Sequence, residues 1–228
     1  MRDQDQSARL QAELAEARAA GTPLRITGGN SKAFYGRPVE GKALDTTGHR
    51  GIVSQVPTEL VLTARAGTPL LDIEAELRQH GQHLPFEPPR FGEAATLGGT
   101  IACGLAGPRR PWAGAVRDHV LGCRVLTGQG DILHFGGEVM KNVAGYDIAR
   151  LMCGALGTLG VLLEVSLKVL PRPAAETTRR FETSAAAAIE TLFFQRQVTV
   201  IDFQAECRHG GCIGTPTIGS PDRDRIPA

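Results

Sequence analysis

Along the first twenty residues the apolar positions fall three or four apart. Leu10, Leu14 and Ala17 share one face of a run rich in Ala and Glu, and Gly21 follows where a helix would stop. The spacing predicts a helix from Asp3 to Ala20. The pattern then shortens. Leu24 to Thr27, Ala43 to Thr47 and Leu60 to Ala66 are brief aliphatic runs and read as strands. Helical spacing returns from Pro69 to His80, where Leu70, Ile73 and Leu77 share a face. Thr68-Pro69 there stands as an N-cap with proline at the first helical position, and Gly81 ends the run. Pro85 to Pro89 is a proline-rich joint that predicts a boundary between subdomains, about 1–85 and 86–173. His119 to Phe135 reads as a hairpin turning at Gly128-Gln129-Gly130-Asp131. Tyr146 to Met152 reads as a short helix and Val161 to Leu170 as a strand, stopped by Pro171-Arg172-Pro173. Beyond Thr183 come an alanine run, Ala185 to Ala188, and then a stretch from Cys207 to Ala228 that mixes Gly, Pro, Arg and Asp without sustained period. An irregular remnant over 174–228 is expected there.

Composition narrows the possibilities. The 228 residues suffice for one sizeable domain, or a domain plus a fragment. A net charge of +1 leaves no electrostatic footprint for nucleic acid or an anionic membrane surface. The residues from Met1 to Gln11 are polar and charged, unlike a signal peptide. The longest apolar run, Val161 to Leu170, is broken by Glu164 and Lys168 and is too short to span a bilayer. Five scattered cysteines without a CxxC suit a reduced, cytoplasmic setting.

The chemistry-bearing signal is glycine. Thr96-Leu97-Gly98-Gly99 and Gly154-Ala155-Leu156-Gly157-Thr158-Leu159-Gly160-Val161 bracket a segment that also holds Gly114, Asp118 and Lys141-Asn142. An earlier loop, Thr27-Gly28-Gly29-Asn30-Ser31-Lys32, repeats the theme. Successive backbone N–H groups without an intervening Cβ can bind a pyrophosphate. Gly28-Gly29-Asn30-Ser31 offers that, and Gly98-Gly99 and Gly157 would let backbone approach a flat ring. Taken singly, Gly28-Gly29 is as readily a hairpin turn. Gly154-x-x-Gly157-x-x-Gly160 has the wrong spacing for a Rossmann fingerprint and precedes its strand. Several glycine loops in one domain of this size favour a dinucleotide ligand over unliganded turns.

Other candidates are weaker. Arg109-Arg110 reads as a solvated loop or subunit contact, and Asp118 as a hydrogen-bonding residue within the cofactor loop. Lys141 reads as a surface lysine. Cys207-Arg208-His209-Gly210-Gly211-Cys212 has too few ligands for zinc, so no metal site is expected. The histidines show no Ser/Asp pairing at a nucleophile motif, and no catalytic residue is assigned.

Pro23 to Lys32 and Thr96 to Ala102, together with Leu60 to Leu70, Leu84 to Pro89, Gly107 to Gly122 and Val139 to Pro173, resemble the p-cresol methylhydroxylase/vanillyl-alcohol oxidase type of FAD-binding flavoproteins. More narrowly, Gly107 to Asp118 and Lys141-Asn142-Val143-Ala144-Gly145-Tyr146-Asp147 resemble the FAD-binding subunits of bacterial glycolate oxidase (glycolate dehydrogenase). The resemblance implies a two-lobed α+β FAD domain over 1–173, followed by a truncated or aberrant remnant of a substrate (cap) domain over 174–228. It implies that Thr27, Gly28, Gly29, Asn30 and Ser31 bind pyrophosphate. It places Thr96, Leu97, Gly98, Gly99, Gly114, Asp118, Gly157, Thr158, Gly160 and Val161 along the flavin and its ribityl-adenosine arm. Asn30 stands where some relatives carry a flavin-linking histidine, so non-covalent FAD is expected. Leu156 replaces a Glu common in the wider family. The implied function is an FAD-dependent redox subunit oxidising glycolate to glyoxylate beside a second flavoprotein subunit and an iron–sulfur subunit, cytoplasmic or peripheral at the inner membrane through those partners. With the cap curtailed, little turnover is expected of the chain alone. The alternatives are a non-catalytic FAD-binding assembly module, or a relative oxidising another hydroxy acid or alcohol.

Overall fold

The structure, a computed structural model, describes residues 4–137, 146–180, 184, 186–187, 200–208 and 211–220. The chain divides into two compact units, 1–107 with 114–171 and 108–113 with 172–228.

In the first unit the elements follow the hydrophobic pattern. Helix α1 (Ser7–Ala19) precedes strands β1 (Leu24–Thr27), β2 (Lys42–Asp45), β3 (Ile52–Val56) and β4 (Val61–Arg65). Helix α2 (Leu70–Gln79), strand β5 (Gln82–His83) and helix α3 (Leu97–Cys103) follow. The second unit takes α4 (Arg110–Ala113). The first unit resumes with β6 (Val120–Leu126), β7 (Ile132–Gly136), α5 (Ile148–Leu151), β8 (Val161–Lys168) and β9 (Leu170–Pro171). Five strands form one antiparallel sheet in the order β3-β4-β8-β6-β7, so strands from before and after Pro85–Pro89 share it. A separate parallel pair joins β1 to β2. Central β8 is covered on both faces. Leu163 and Val161 pack with Leu10 and Leu14 of α1 and Leu44. Leu162, Val165 and Leu167 pack with Leu70, Ile73 and Leu77 of α2 and with Leu97 and Ile101 of α3. A strand buried on both sides reads as a near-continuous apolar run. The charged position in the middle of the strand, Glu164, lies in register with Arg65 on β4 and Arg124 on β6.

That register builds an ionic row. Glu164 Oε1 accepts from Arg65 Nη1 at 2.7 Å and from Arg124 Nη1 at 2.6 Å. Asp5 reaches the same guanidinium groups at 3.1 and 3.7 Å. Three residues ahead of α1 are thereby held against the sheet. Gln4 bridges Arg50, and Gln6 N–H donates to His49 Nδ1 at 2.9 Å. This explains why the helix begins at Ser7 and not at Asp3: Asp5 and Gln6 are engaged in tertiary contacts, and Asp5 Oδ1 takes the Ser7 N–H at 2.8 Å. Thr68 departs from expectation in the same way. Its hydroxyl bonds both the N–H and the C=O of Gly51, at 2.9 and 3.1 Å, leaving Pro69 at the cap of α2 without a side-chain bond. Strand β3 and helix α3 were not anticipated, the second because its glycines suggested a loop.

The second unit contains α4 and a sheet of β10 (Thr177–Arg180), β12 (Gly211–Ser220) and β11 (Val200–Arg208) in the order β10-β12-β11. The expected irregular tail therefore carries strands. The signal was present: Ile201, Phe203, Ala205 and Cys207 alternate with Asp202, Gln204 and Glu206, a period of two. Arg109 pairs with Glu176 at 2.8 Å within this unit, where sequence suggested a solvated loop or subunit contact.

Candidate cofactor site

Three segments of the first unit converge on a cavity of about 710 Å³, within the range of small-ligand and cofactor pockets (about 300–1,000 Å³). The first is the loop leaving β1. Its exit is fixed by Thr46, whose N–H and hydroxyl both donate to Thr27 O at 2.9 Å. Gly28 and Gly29 then run against 94–96. A Cβ on Gly28 would stand 2.7 Å from Thr96 Oγ1, and one on Gly29 would stand 1.5 Å from the Ala94 carbonyl oxygen. Asn30 adopts φ 54°, a left-handed conformation that Asn tolerates better than most residues. The turn closes with Ala33 N–H on Asn30 O and Tyr35 N–H on Lys32 O. Through this turn the backbone N–H groups of residues 28 to 32 donate to no acceptor among the described residues.

The second segment is α3. Thr96 caps it, accepting Gly99 N–H at 3.3 Å, while Leu97 N–H donates to Thr68 O and Gly98 N–H to Ala66 O. Its amino-terminal N–H groups are thus satisfied within the protein. The helix presents Gly98, Gly99, Ala102 and Cys103 to the cavity. Gly98 is required by close packing, since a Cβ would sit 2.7 Å from Ala66 Cβ.

The third segment is the turn before β8. Gly154 and Leu156 N–H groups donate to Ile101 O and Ala102 O, which clips the turn to the end of α3. Leu156, Gly157 and Gly160 have φ of 52°, 79° and 148°. A Cβ on Gly157 would approach Ile26 Cδ1 at 3.2 Å, so this turn also packs on β1.

Of the residues singled out by sequence, Gly28, Gly29, Asn30, Ser31, Thr96, Gly98, Gly99, Gly157, Thr158 and Gly160 line this one cavity. Thr27, Leu97 and Val161 stand behind the lining as buried supports. Gly114 and Asp118 lie outside it. Asp118 Oδ2 accepts Ala115 N–H at 2.9 Å and organises its own loop, with Gly114 at φ 92°. Lys141 and Asn142 fall outside the described residues. Sequence reasoning did not single out Arg25, Lys32, Arg37, Thr46 or Cys103, all of which line the cavity. Two of these, Lys32 and Arg37, were legible as cations close behind the first glycine pair.

The electrostatics follow from that lining. Arg25, Lys32 and Arg37 contribute positive charge and, among the described residues, no Asp or Glu contributes negative charge. Burial lowers the Lys32 pKa, partly opposed by Cys103, and burial raises the Cys103 thiol. Unbonded amides, three cations and a large apolar wall fit a ligand with a dianionic pyrophosphate and flat ring systems. The arrangement is that of a dinucleotide-binding domain built from glycine turns, and not of a Rossmann unit.

The comparisons agree. Residues 5–136 match the FAD binding domain family, and the chain belongs to that family, with FAD as its cofactor. It is 59% identical over 192 residues to glycolate oxidase subunit GlcE of Escherichia coli (strain K12), covering 84% of this chain and 55% of that protein. It is 34% identical over 142 residues to glycolate oxidase subunit GlcD of Bacillus subtilis (strain 168), covering 62% of this chain and 30% of that one. A solved structure of alkyldihydroxyacetonephosphate synthase aligns with a TM-score of 0.71 at 21% identity, over 89% of this chain and 38% of that chain. The last likeness carries the fold alone, of the anticipated α+β class. The chain thus spans about half the length of the first relative and less of the others. Among the described residues no helix is long and apolar enough to cross a membrane.

Proposed function

We propose that the chain is an FAD-binding redox subunit of a glycolate (2-hydroxy acid) dehydrogenase. The observation that carries this is the identity of 59% across most of the chain to a glycolate oxidase subunit, falling on a domain whose cavity has the charge and open amides for FAD. The amides of residues 28 to 31 are assigned to the pyrophosphate, as a nest of backbone donors. Thr96 to Gly99 and Gly157 to Gly160 are assigned to the flavin and ribityl-adenosine arm, with Thr27, Leu97 and Val161 holding those segments in shape, while Gly114 and Asp118 keep their own loop outside the cavity. Bound FAD supplies a two-electron acceptor for the α-hydride of a 2-hydroxy acid. The chain's own residues bind and orient it: the glycine turns fix its position, and the cations offset its charge. With no His at position 30, the cofactor is held without a covalent link. A second flavoprotein subunit and an iron–sulfur subunit are the proposed partners, receiving electrons in the cytoplasm or at the inner membrane surface.

The test is spectroscopic. The purified chain should carry an oxidised-flavin spectrum. Glycolate added anaerobically should bleach it rapidly when the partner subunits are present, and slowly with the chain alone. A colourless chain that takes up no FAD, or a complex whose flavin ignores glycolate, would defeat the proposal.

A further inference from the structure

Lys32 is a long cationic side chain at 8% exposure, on the wall of a cavity that no carboxylate among the described residues lines. No ion pair or side-chain hydrogen bond engages its ammonium among the described residues. The group coupled to it electrostatically is Cys103, whose thiol burial keeps protonated, so it brings no counter-charge. An ammonium withdrawn from water without a partner is unfavourable, and it persists where an anion completes it. Lys32 also directly follows the run of unbonded amides at residues 28 to 31.

We propose that the Lys32 side chain is the buried counter-charge for the pyrophosphate of the bound dinucleotide, closing the anion site that the backbone amides of residues 28 to 31 begin. This rests on the FAD reading above and deepens it. The amides supply directional donors, and Lys32 supplies a full charge sunk in the wall. Arg25 and Arg37 are both exposed, so salt screens them more. The same ammonium chemistry would suit the carboxylate of a hydroxy acid, but its place beside the amide run favours the phosphate source.

The experiment compares the wild-type chain with Lys32→Met and Lys32→Arg, titrating FAD, ADP and riboflavin by calorimetry or fluorescence. Losing a charge-assisted contact should weaken FAD and ADP by about tenfold or more in Lys32→Met. Riboflavin, which lacks the pyrophosphate, should bind the two proteins alike. The slope of affinity against salt should fall, and Lys32→Arg should recover part of the loss. The apo-protein should be no less heat-stable as Lys32→Met, because an uncompensated buried charge has been removed. That result separates a ligand role from a structural one. Equal FAD and ADP affinity in Lys32→Met and wild type would overturn the inference while leaving the FAD reading intact. So would a variant that keeps FAD and ADP affinity but loses the flavin spectral change on adding glycolate. A wild-type chain that binds none of the three would instead refute the FAD reading itself.

Discussion

Replacing Gly29 by alanine adds a single methyl group where the structure has no room for one. A Cβ built there stands 1.5 Å from the Ala94 carbonyl oxygen and 2.5 Å from its carbonyl carbon, both backbone atoms that no rotamer change can move aside. Separations below 3.0 Å are essentially never seen for real Cβ atoms, so the two backbones must part by at least 3.0 − 1.5 = 1.5 Å. Overpacking of this kind costs about 1–3 kcal/mol. In a domain of this size that lowers the melting temperature by about 2–4 °C per kcal/mol. The greater loss is functional. Gly29 sits within the run of unbonded amides, and a displacement comparable to half a hydrogen-bond length disorganises the anion site; misplacements of about 1 Å are enough to cost on the order of a hundredfold where geometry matters. The Gly29→Ala protein should therefore fold, melt a few degrees early and copurify with little FAD. Gly128→Ala is the control, because nothing lies within 4 Å of a Cβ at that turn. Flavin per chain, read from absorbance after heat release, and FAD affinity by fluorescence titration give the answer. Wild-type flavin content and affinity in Gly29→Ala would refute the claim that the glycine is there to let 28–29 lie against 94–96.

Three further outcomes are expected. Glu164→Gln removes the carboxylate between Arg65 and Arg124, which are only 6% and 19% exposed. Breaking a buried pair costs about 3–5 kcal/mol, and with Asp5 remaining the low end is expected in urea denaturation; an unchanged midpoint would contradict the ionic row. His49 should make stability fall on mild acidification. Its Nδ1 accepts from Gln6 N–H, its Nε2 faces Leu163 O at 3.0 Å, and burial, reinforced by Arg65, outweighs Asp5, the Leu163 carbonyl and Glu164 and puts its pKa below the ordinary 6.5. The unfolded chain then binds the extra proton, so this stability is complete above pH 6.5 and declines as pH falls toward the folded value. Asp5 is not the cause in that window. Although burial raises its pKa, bonds from Ser7 and the charges of Arg65 and His49 bring it to about 2, so its contribution persists until pH falls below 3.8. Melting curves across this range should flatten in His49→Gln; an unaltered slope would count against the assignment. Finally, acid precipitation of the flavin-loaded chain should leave all yellow colour in the supernatant, and colour retained on the pellet would show a covalent bond.

How far the sequence speaks depends on the range of the interaction. The spacing of Leu70, Ile73 and Leu77 marks α2 to within a residue at each end, because a helix that buries one face must repeat that face. The hairpin of β6 and β7 is legible for a similar reason, with its turn at Gly128 to Asp131. The start of α1 and the cap of α2 are misread where a local group is used at long range: Asp5 with Arg65, Gln6 with His49, and Thr68 with Gly51. Nothing near those residues in the chain announces the partner. Helix α3 hides for another reason. Its Gly98-Gly99 weakens helix propensity, and the helix stands because Ala66 and Thr68 accept its first N–H groups and its buried face packs on the core.

The glycines carry the same lesson into the site. Their crowding pointed to a dinucleotide on the argument that backbone must approach the ligand. In the structure Gly28 lies against Thr96, Gly29 against Ala94, Gly98 against Ala66 and Gly157 against Ile26. At these four positions the missing Cβ lets one cavity wall meet another. Glycine therefore builds the shape of the cavity, while the proposed recognition falls to groups that composition does not display: amides that a turn leaves unbonded, and cations on a wall without carboxylates, among the described residues. This separates two kinds of damage. A Cβ at any of the four should move a wall and weaken every part of the cofactor at once, riboflavin as well as ADP. Truncating a cation should weaken only the ligands that carry phosphate. The pattern of loss across ligands, more than its size, distinguishes a residue that shapes the site from one that reads the ligand's charge.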